Sequence, residues 1–170
     1  MSHTFRPALL CILAIVVVAP RNFRAQTQTK IPDRILILKS AHTMSLMHGT
    51  EILKTYKVAL STVPVGAKER AGDHRVPEGI YIVDRKNPQS QFHLALHVSY
   101  PNATDRARAS KLGVDPGGNI EIHGLEKKYA SLGAFHRTYD WTDGCIAVTD
   151  AEIEEIYPQI RVGTPVEIRP

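Results

Sequence analysis

A chain of 170 residues, 43% hydrophobic and 22% charged, is long enough for one domain with a real core. Its net charge is +4, and the basic residues (Lys68, Arg70, Arg75, Arg85, Lys86, Arg106, Arg108 and Lys111 among them) are interspersed with acids. Without a Lys/Arg-rich run, and with one Trp and scattered tyrosines to stack on bases, nucleic acid is set aside as a partner.

Residues 1–29 read as an export signal or a short N-terminal anchor. Arg6 supplies a positive start, and Ala8 to Ala19 form an apolar run of 12 residues, shorter than the roughly 20 needed to cross a bilayer as a helix. Phe23-Arg24-Ala25 is a poor cleavage site, so a retained segment in contact with the membrane stays open beside a cleaved one. Cys11 lies inside the apolar run, so removal of the leader would leave one unpaired thiol, Cys145.

The folded part, residues 30–170, reads as a mainly β single domain with short helices. Arg34–Lys39 is a core strand. Thr43–Met47 and Glu51–Leu60 form a hairpin about Gly49, and Pro64–Glu78 is rich in turn formers. Gly79–Val83 is a strand, Asn87-Pro88 marks a loop, and Phe92–Tyr100 is a strand with His93, Ala95, His97 and Ser99 on one face. Ala103–Leu112 has high helix propensity and stops at Gly113, and Asn119–His123 is a short strand. Leu125–Thr138 fits a short helix or a covering loop. Thr149-Asp-Ala-Glu152 is a capping box before an amphipathic helix ended by Pro158, and Thr164–Ile168 is the last strand.

The chemistry concentrates in Tyr139–Val148. Cys145 follows Gly144, and His123-Gly124 lies 22 residues upstream. Only a thiolate attacks, so a nucleophilic cysteine needs a base or a positive field. Glycine lets the backbone come close, so that amide N–H groups beside the sulfur can face a developing oxyanion. On residues alone, a buried structural cysteine on a strand competes with a cysteine acyl-transfer enzyme. A zinc site of His93, His97, His123 and Cys145 has suitable donors but no close-spaced ligand pair, and no metal or cofactor is assigned.

Taken together, Ile122-His-Gly124 and Thr142-Asp-Gly-Cys145 resemble the L,D-transpeptidase catalytic domain of the YkuD type. The resemblance runs from about Asp33 to Pro170. It includes Lys39-Ser40, Pro64-Val-Gly66, Val76-Pro-Glu-Gly-Ile-Tyr81, Gly144-Cys-Ile146 and Gly163-Thr-Pro-Val166. Phe92–Asn102, Asp115-Pro-Gly-Gly118 and Asp140–Thr149 are similar to the YafK-like branch of Gram-negative envelopes. The resemblance implies a β-rich sandwich or barrel-like fold and attack on an amide of the peptidoglycan stem peptide at a meso-diaminopimelate L-centre, in the periplasm or cell envelope. It implies Cys145 as nucleophile, His123 as base, the Gly124 carbonyl as the group orienting the imidazole, and N–H groups near Gly144 and Cys145 as the oxyanion hole.

Two positions depart from the commoner family motif. Asp143 stands where a histidine is usual, and Ala147 where an arginine is usual. A charged aspartate facing the sulfur would raise the thiol pKa, so Asp143 is expected to turn toward Arg106, Arg137 or a backbone N–H. With that arginine missing, His93, His97, Tyr100, Arg106 and Asp143 are the candidates for substrate contact. Transfer to a second stem peptide or a lipoprotein lysine, hydrolysis or amidase release of a wall-attached lipoprotein, and a non-catalytic wall-binding domain all remain open. Leu125–Thr138 is the candidate lid.

Overall fold

The computed structural model describes residue 1 and residues 30–170. The expected signal or anchor at residues 1–29 lies, apart from Met1, outside the described residues. Eight strands are hydrogen bonded in the order β3-β2-β1-β8-β4-β5-β6-β7. They are β1 (Arg34–Leu38), β2 (Thr43–His48), β3 (Glu51–Lys57), β4 (Gly79–Ser90), β5 (His93–Val98), β6 (Ile120–His123), β7 (Ile146–Ala147) and β8 (Pro165–Arg169). The β1–β8 and β6–β7 pairs are parallel, and the other neighbours are antiparallel. The fold is mainly β with short helices, as expected.

The alternation in β1 puts Ile35 and Ile37 inward, fully buried, where they meet Met44 and Leu46 of β2. Gly49, with φ +57°, makes the turn between β2 and β3. All four residues of β6 are buried, because β5 and β7 flank it and both faces are covered. Ile120, Ile122 and Ile146 from β6 and β7 join Ile153 and Ile156 of the C-terminal helix in the same core. Each such side chain contributes roughly 1.5–3 kcal/mol on burial.

β4 is longer than the alternation of Gly79–Val83 suggests. Its first part pairs with β8 and its second with β5, through register shifts at Val83/Arg85 and Asn87/Ser90. The expected loop at Asn87-Pro88 is therefore corrected to an irregular strand end. Pro88 donates no N–H, and the shift skips it in the ladder.

The sheet curls so that its two ends nearly meet. Beyond β3 the chain runs on to Ala59, which exchanges both backbone hydrogen bonds with Ala147 of β7 (3.0 and 2.9 Å). Trp141 and Thr142 N–H groups both donate to the Leu60 carbonyl, and the Asp140 carboxylate accepts from the Leu60 N–H at 2.7 Å. The segment leading to Cys145 is thus pinned by the far edge of the sheet.

Two α-helices accompany the sheet among the described residues. α1 (Ala103–Leu112) is capped by Asn102 and Asp105 and ends at Gly113 with φ 67°. α2 (Asp150–Gln159) has the expected Thr149/Glu152 capping box and carries Pro158 within its last turn. It packs against β5. Lys127–Thr138 forms 3-10 turns broken at Gly133.

Candidate active site

β6 delivers His123 at its C-terminal end. The ring is buried, stacked on Phe92 with centroids 4.3 Å apart, and edge-on to Trp141 at 6.0 Å. Its Nδ1 lies 2.7 Å from the Gly124 carbonyl oxygen. A carbonyl only accepts, so Nδ1 carries the hydrogen and Nε2 keeps its lone pair. Gly124 is required by crowding: a Cβ there would lie 2.6 Å from Asp150 Oδ1 and 3.1 Å from the Phe92 carbonyl oxygen. Burial pushes the imidazole pKa down to about 4; the bond to Gly124 opposes this and neighbouring His136 adds to it. The ring is neutral at pH 7.

β7 pairs in parallel with β6, Ile122 opposite Ile146 and His123 opposite Ala147. Period-two alternation sets Cys145 on the face shared by Ala147 and His123, with Cα atoms of Cys145 and His123 about 8 Å apart from strand spacing and rise. The half-buried Cys145 Sγ points to the Asn119 carbonyl oxygen at 3.7 Å, and no thiol–imidazole hydrogen bond is present among the described residues. Burial pushes the thiol pKa up to about 11. The Glu121 backbone amide and Lys68 work against that shift, while the carboxylates of Glu121 and Asp143 add to it. Thiol and imidazole therefore rest as a neutral pair.

Around the sulfur the backbone is tightly set. Gly144 has φ +129°, and a Cβ there would come within 2.9 Å of the Arg75 carbonyl oxygen. Thr142 Oγ1 donates to the Cys145 carbonyl at 2.8 Å and takes the Gly144 N–H at 3.4 Å.

Beside the imidazole lies a cavity of about 240 Å³ lined by Leu125, Tyr129, Leu132, His136, Tyr139 and Trp141. Trp141 Nε1 donates to Nδ1 of buried His136 at 3.3 Å, which leaves His136 Nε2 as an unpartnered donor. Arg137 forms an ion pair with Glu152 and so ties the 3-10 segment to α2.

His123 ends β6 and Cys145 directly precedes β7, the strand paired with it, with Gly124 and Gly144 beside them, while the other candidates are dispersed. Asp143 is exposed and pairs with His74 (2.8 Å) instead of an arginine or a backbone N–H; Arg137 is taken by Glu152, and Arg106 bonds to the Pro101 carbonyl. Tyr100 is a core residue whose hydroxyl donates to the Pro116 carbonyl, so its assignment to substrate is corrected. His93 has φ 72°, which breaks the expected alternation, and pairs with Glu154 of α2. His97 pairs with Asp84 at 2.6 Å. His93, His97, His123 and Cys145 do not converge, and no group of three possible metal ligands occurs among the described residues. Phe92, Trp141, Asn119, Glu121, Lys68 and His74 were not singled out from sequence; the run of aromatics flanking His123 and Cys145 was the available signal.

A model of the YkuD L,D-transpeptidase catalytic domain matches residues 32–168. The chain belongs to the L,D-transpeptidase family. YafK of Escherichia coli K12 is 31% identical over 132 residues, covering 74% of this chain and 46% of YafK. The chain thus spans about half the length of the curated relatives it matches. The helical cell shape determining protein Pgp2 of Campylobacter jejuni shares the fold with TM-score 0.62 and 24% identity, over 79% of this chain and 46% of Pgp2. An L,D-transpeptidase from Mycobacterium smegmatis does so with TM-score 0.52 and 13% identity, over 80% of this chain and 58% of its own. The YkuD-type L,D-transpeptidase fold therefore holds despite the departures at Asp143 and Ala147.

Proposed function

We propose that residues 30–170 are a catalytic domain that performs cysteine-dependent acyl transfer on peptidoglycan stem peptides in the cell envelope. The observation that carries this reading is the hydrogen bond from His123 Nδ1 to the Gly124 carbonyl. It leaves an unprotonated Nε2 on the strand paired with the one that follows Cys145. The acyl donor would be the amide at a meso-diaminopimelate L-centre.

In the proposed first half-reaction a rotation about the Cα–Cβ bond of Cys145 turns Sγ from Asn119 toward the imidazole. Sulfur attacks the peptide carbonyl carbon as the thiol proton passes to His123 Nε2. N–H groups of the Gly144–Cys145 turn stabilise the oxyanion. The C–N bond then breaks, the imidazolium proton goes to the leaving amine, and a thioester on Cys145 remains. An amine of a second stem peptide or of a lipoprotein lysine completes transfer; water completes hydrolysis. Because thiol and imidazole are both neutral at rest, His123 acts as a general base during attack rather than as half of a preformed ion pair.

The test is incubation with defined muropeptides and a wall–lipoprotein conjugate, read by intact-protein and product mass spectrometry. A thioester on Cys145 supports the reading, and the displacing group assigns transferase or amidase. Full activity of Cys145→Ser would overturn it.

A further inference from the structure

Resting on the proposed reading, we propose that Arg70 and Arg75 form a subsite for a carboxylate of the peptide substrate, beside the nucleophile's turn. A polar cavity of about 390 Å³ opens there, lined by Val63, Glu69, Arg70, Gly72, Asp73 and Arg75. The ordinary partner for these guanidiniums would be Asp73, but its carboxylate is already occupied. It accepts from Lys68 Nζ (2.8 Å) and from the backbone N–H groups of Glu69, Arg70 and Arg75 (2.7, 3.1 and 3.2 Å). Among the described residues neither Arg70 nor Arg75 takes part in an ion pair, whereas Lys68 and Asp73 pair with each other. Two cations (Arg70, Arg75) and two carboxylates (Glu69, Asp73) line the pocket, and with Asp73 matched by buried Lys68, which is not part of the lining, the two arginines face Glu69 alone.

The Arg75 guanidinium packs against Gly66. Gly66, at φ +84°, has no side chain, and Nη1 of Arg75 lies 3.5 Å from where a Cβ would stand. A planar guanidinium fork grips a carboxylate through two parallel hydrogen bonds.

The pocket is joined to the reaction centre through backbone. The Arg75 carbonyl abuts Gly144, and the preceding His74 holds Asp143, two residues before the sulfur. The need for such a donor is set by what is missing elsewhere. Ala147 occupies the place of the family's usual arginine and is fully buried. His93, His97 and Arg106 already hold partners, and Tyr100 is in the core.

The test uses the full chain with Cys145→Ala, so that peptide binds without reacting, and isothermal titration with a stem peptide in free-acid and carboxamide forms. Arg75→Gln and Arg70→Gln are expected to weaken free-acid binding at least about tenfold and to leave the carboxamide unchanged. Arg75→Lys should restore part of the loss, and thermal melts check that each variant folds. Equal loss for both forms, no loss in the Gln variants, or no binding of the free acid at millimolar concentration would each overturn the subsite. The two readings fail separately. Arginine-dependent acid binding without any thioester in the Cys145 protein sinks the catalytic reading alone, and turnover indifferent to both arginines sinks the subsite alone.

Discussion

The thiol of Cys145 is engaged by the carbonyl oxygen of Asn119 at 3.7 Å, and Asn119 holds a left-handed φ of 56° to present that oxygen. A carbonyl stabilises the protonated sulfur and offers nothing to a thiolate, which agrees with the high thiol pKa. The resting thiol is therefore parked on that carbonyl. Alkylation by iodoacetamide should be slow at pH 7 and rise toward a plateau only as pH passes about 11. A plateau already reached at pH 7 would show a preformed thiolate instead.

Burial of neutral His123 links stability to pH. Its folded pKa of about 4 lies below the ordinary 6.5, so the unfolded chain binds the proton more readily. Stability from this residue is complete above pH 6.5 and is lost as pH falls toward 4, on the order of 3 kcal/mol in all. His136, depressed by the same burial, pushes in the same direction. Urea unfolding of His123→Asn and of the parent at pH 7.5 and 4.5 should show a smaller acid loss in the variant; parallel losses would refute the assignment.

Gly144→Ala places a methyl 2.9 Å from the Arg75 carbonyl oxygen at a φ of +129° that alanine resists. A cost of about 1–3 kcal/mol follows, readable as a lower Tm, together with loss of acylation because the turn carrying the sulfur must shift. An unchanged Tm would mean that the segment carrying Arg75 yields freely.

Asp143 raises the thiol pKa from an exposed position, where it pairs with His74. Asp143→Asn should lower that pKa, and solvent and salt screen the interaction. Thiol titration followed by absorbance at low and high salt checks this: the difference between parent and variant should shrink at high salt.

Replacing Cys145 by Ser should abolish the acyl-enzyme and depress turnover at least about 10³-fold, as expected when the nucleophile of a concerted unit is removed. Replacing His123 by Asn should depress it comparably, with the thioester forming only at high pH, where hydroxide ionises the thiol without a base.

Local signals wrote much of the fold into the sequence. Ile35 and Ile37 alternate because one face of β1 is core, Gly113 stops α1 because a left-handed residue is needed there, and Thr149 with Glu152 caps α2 through groups three residues apart. Ile122-His-Gly124 and Thr142-Asp-Gly-Cys145 pointed to one site through the family they resemble. What the sequence alone left open depended on contacts between distant segments. His74 reaches Asp143 across 69 positions, and Ala59 pins Ala147 by closing the sheet. The histidines of β5, placed on one face by alternation, were claimed by Asp84 and Glu154 once the chain was folded. Residue types and spacing determine which side chains can do chemistry; only the packed structure decides which charges meet, which are desolvated, and which, like Arg70 and Arg75 among the described residues, stay outside any ion pair.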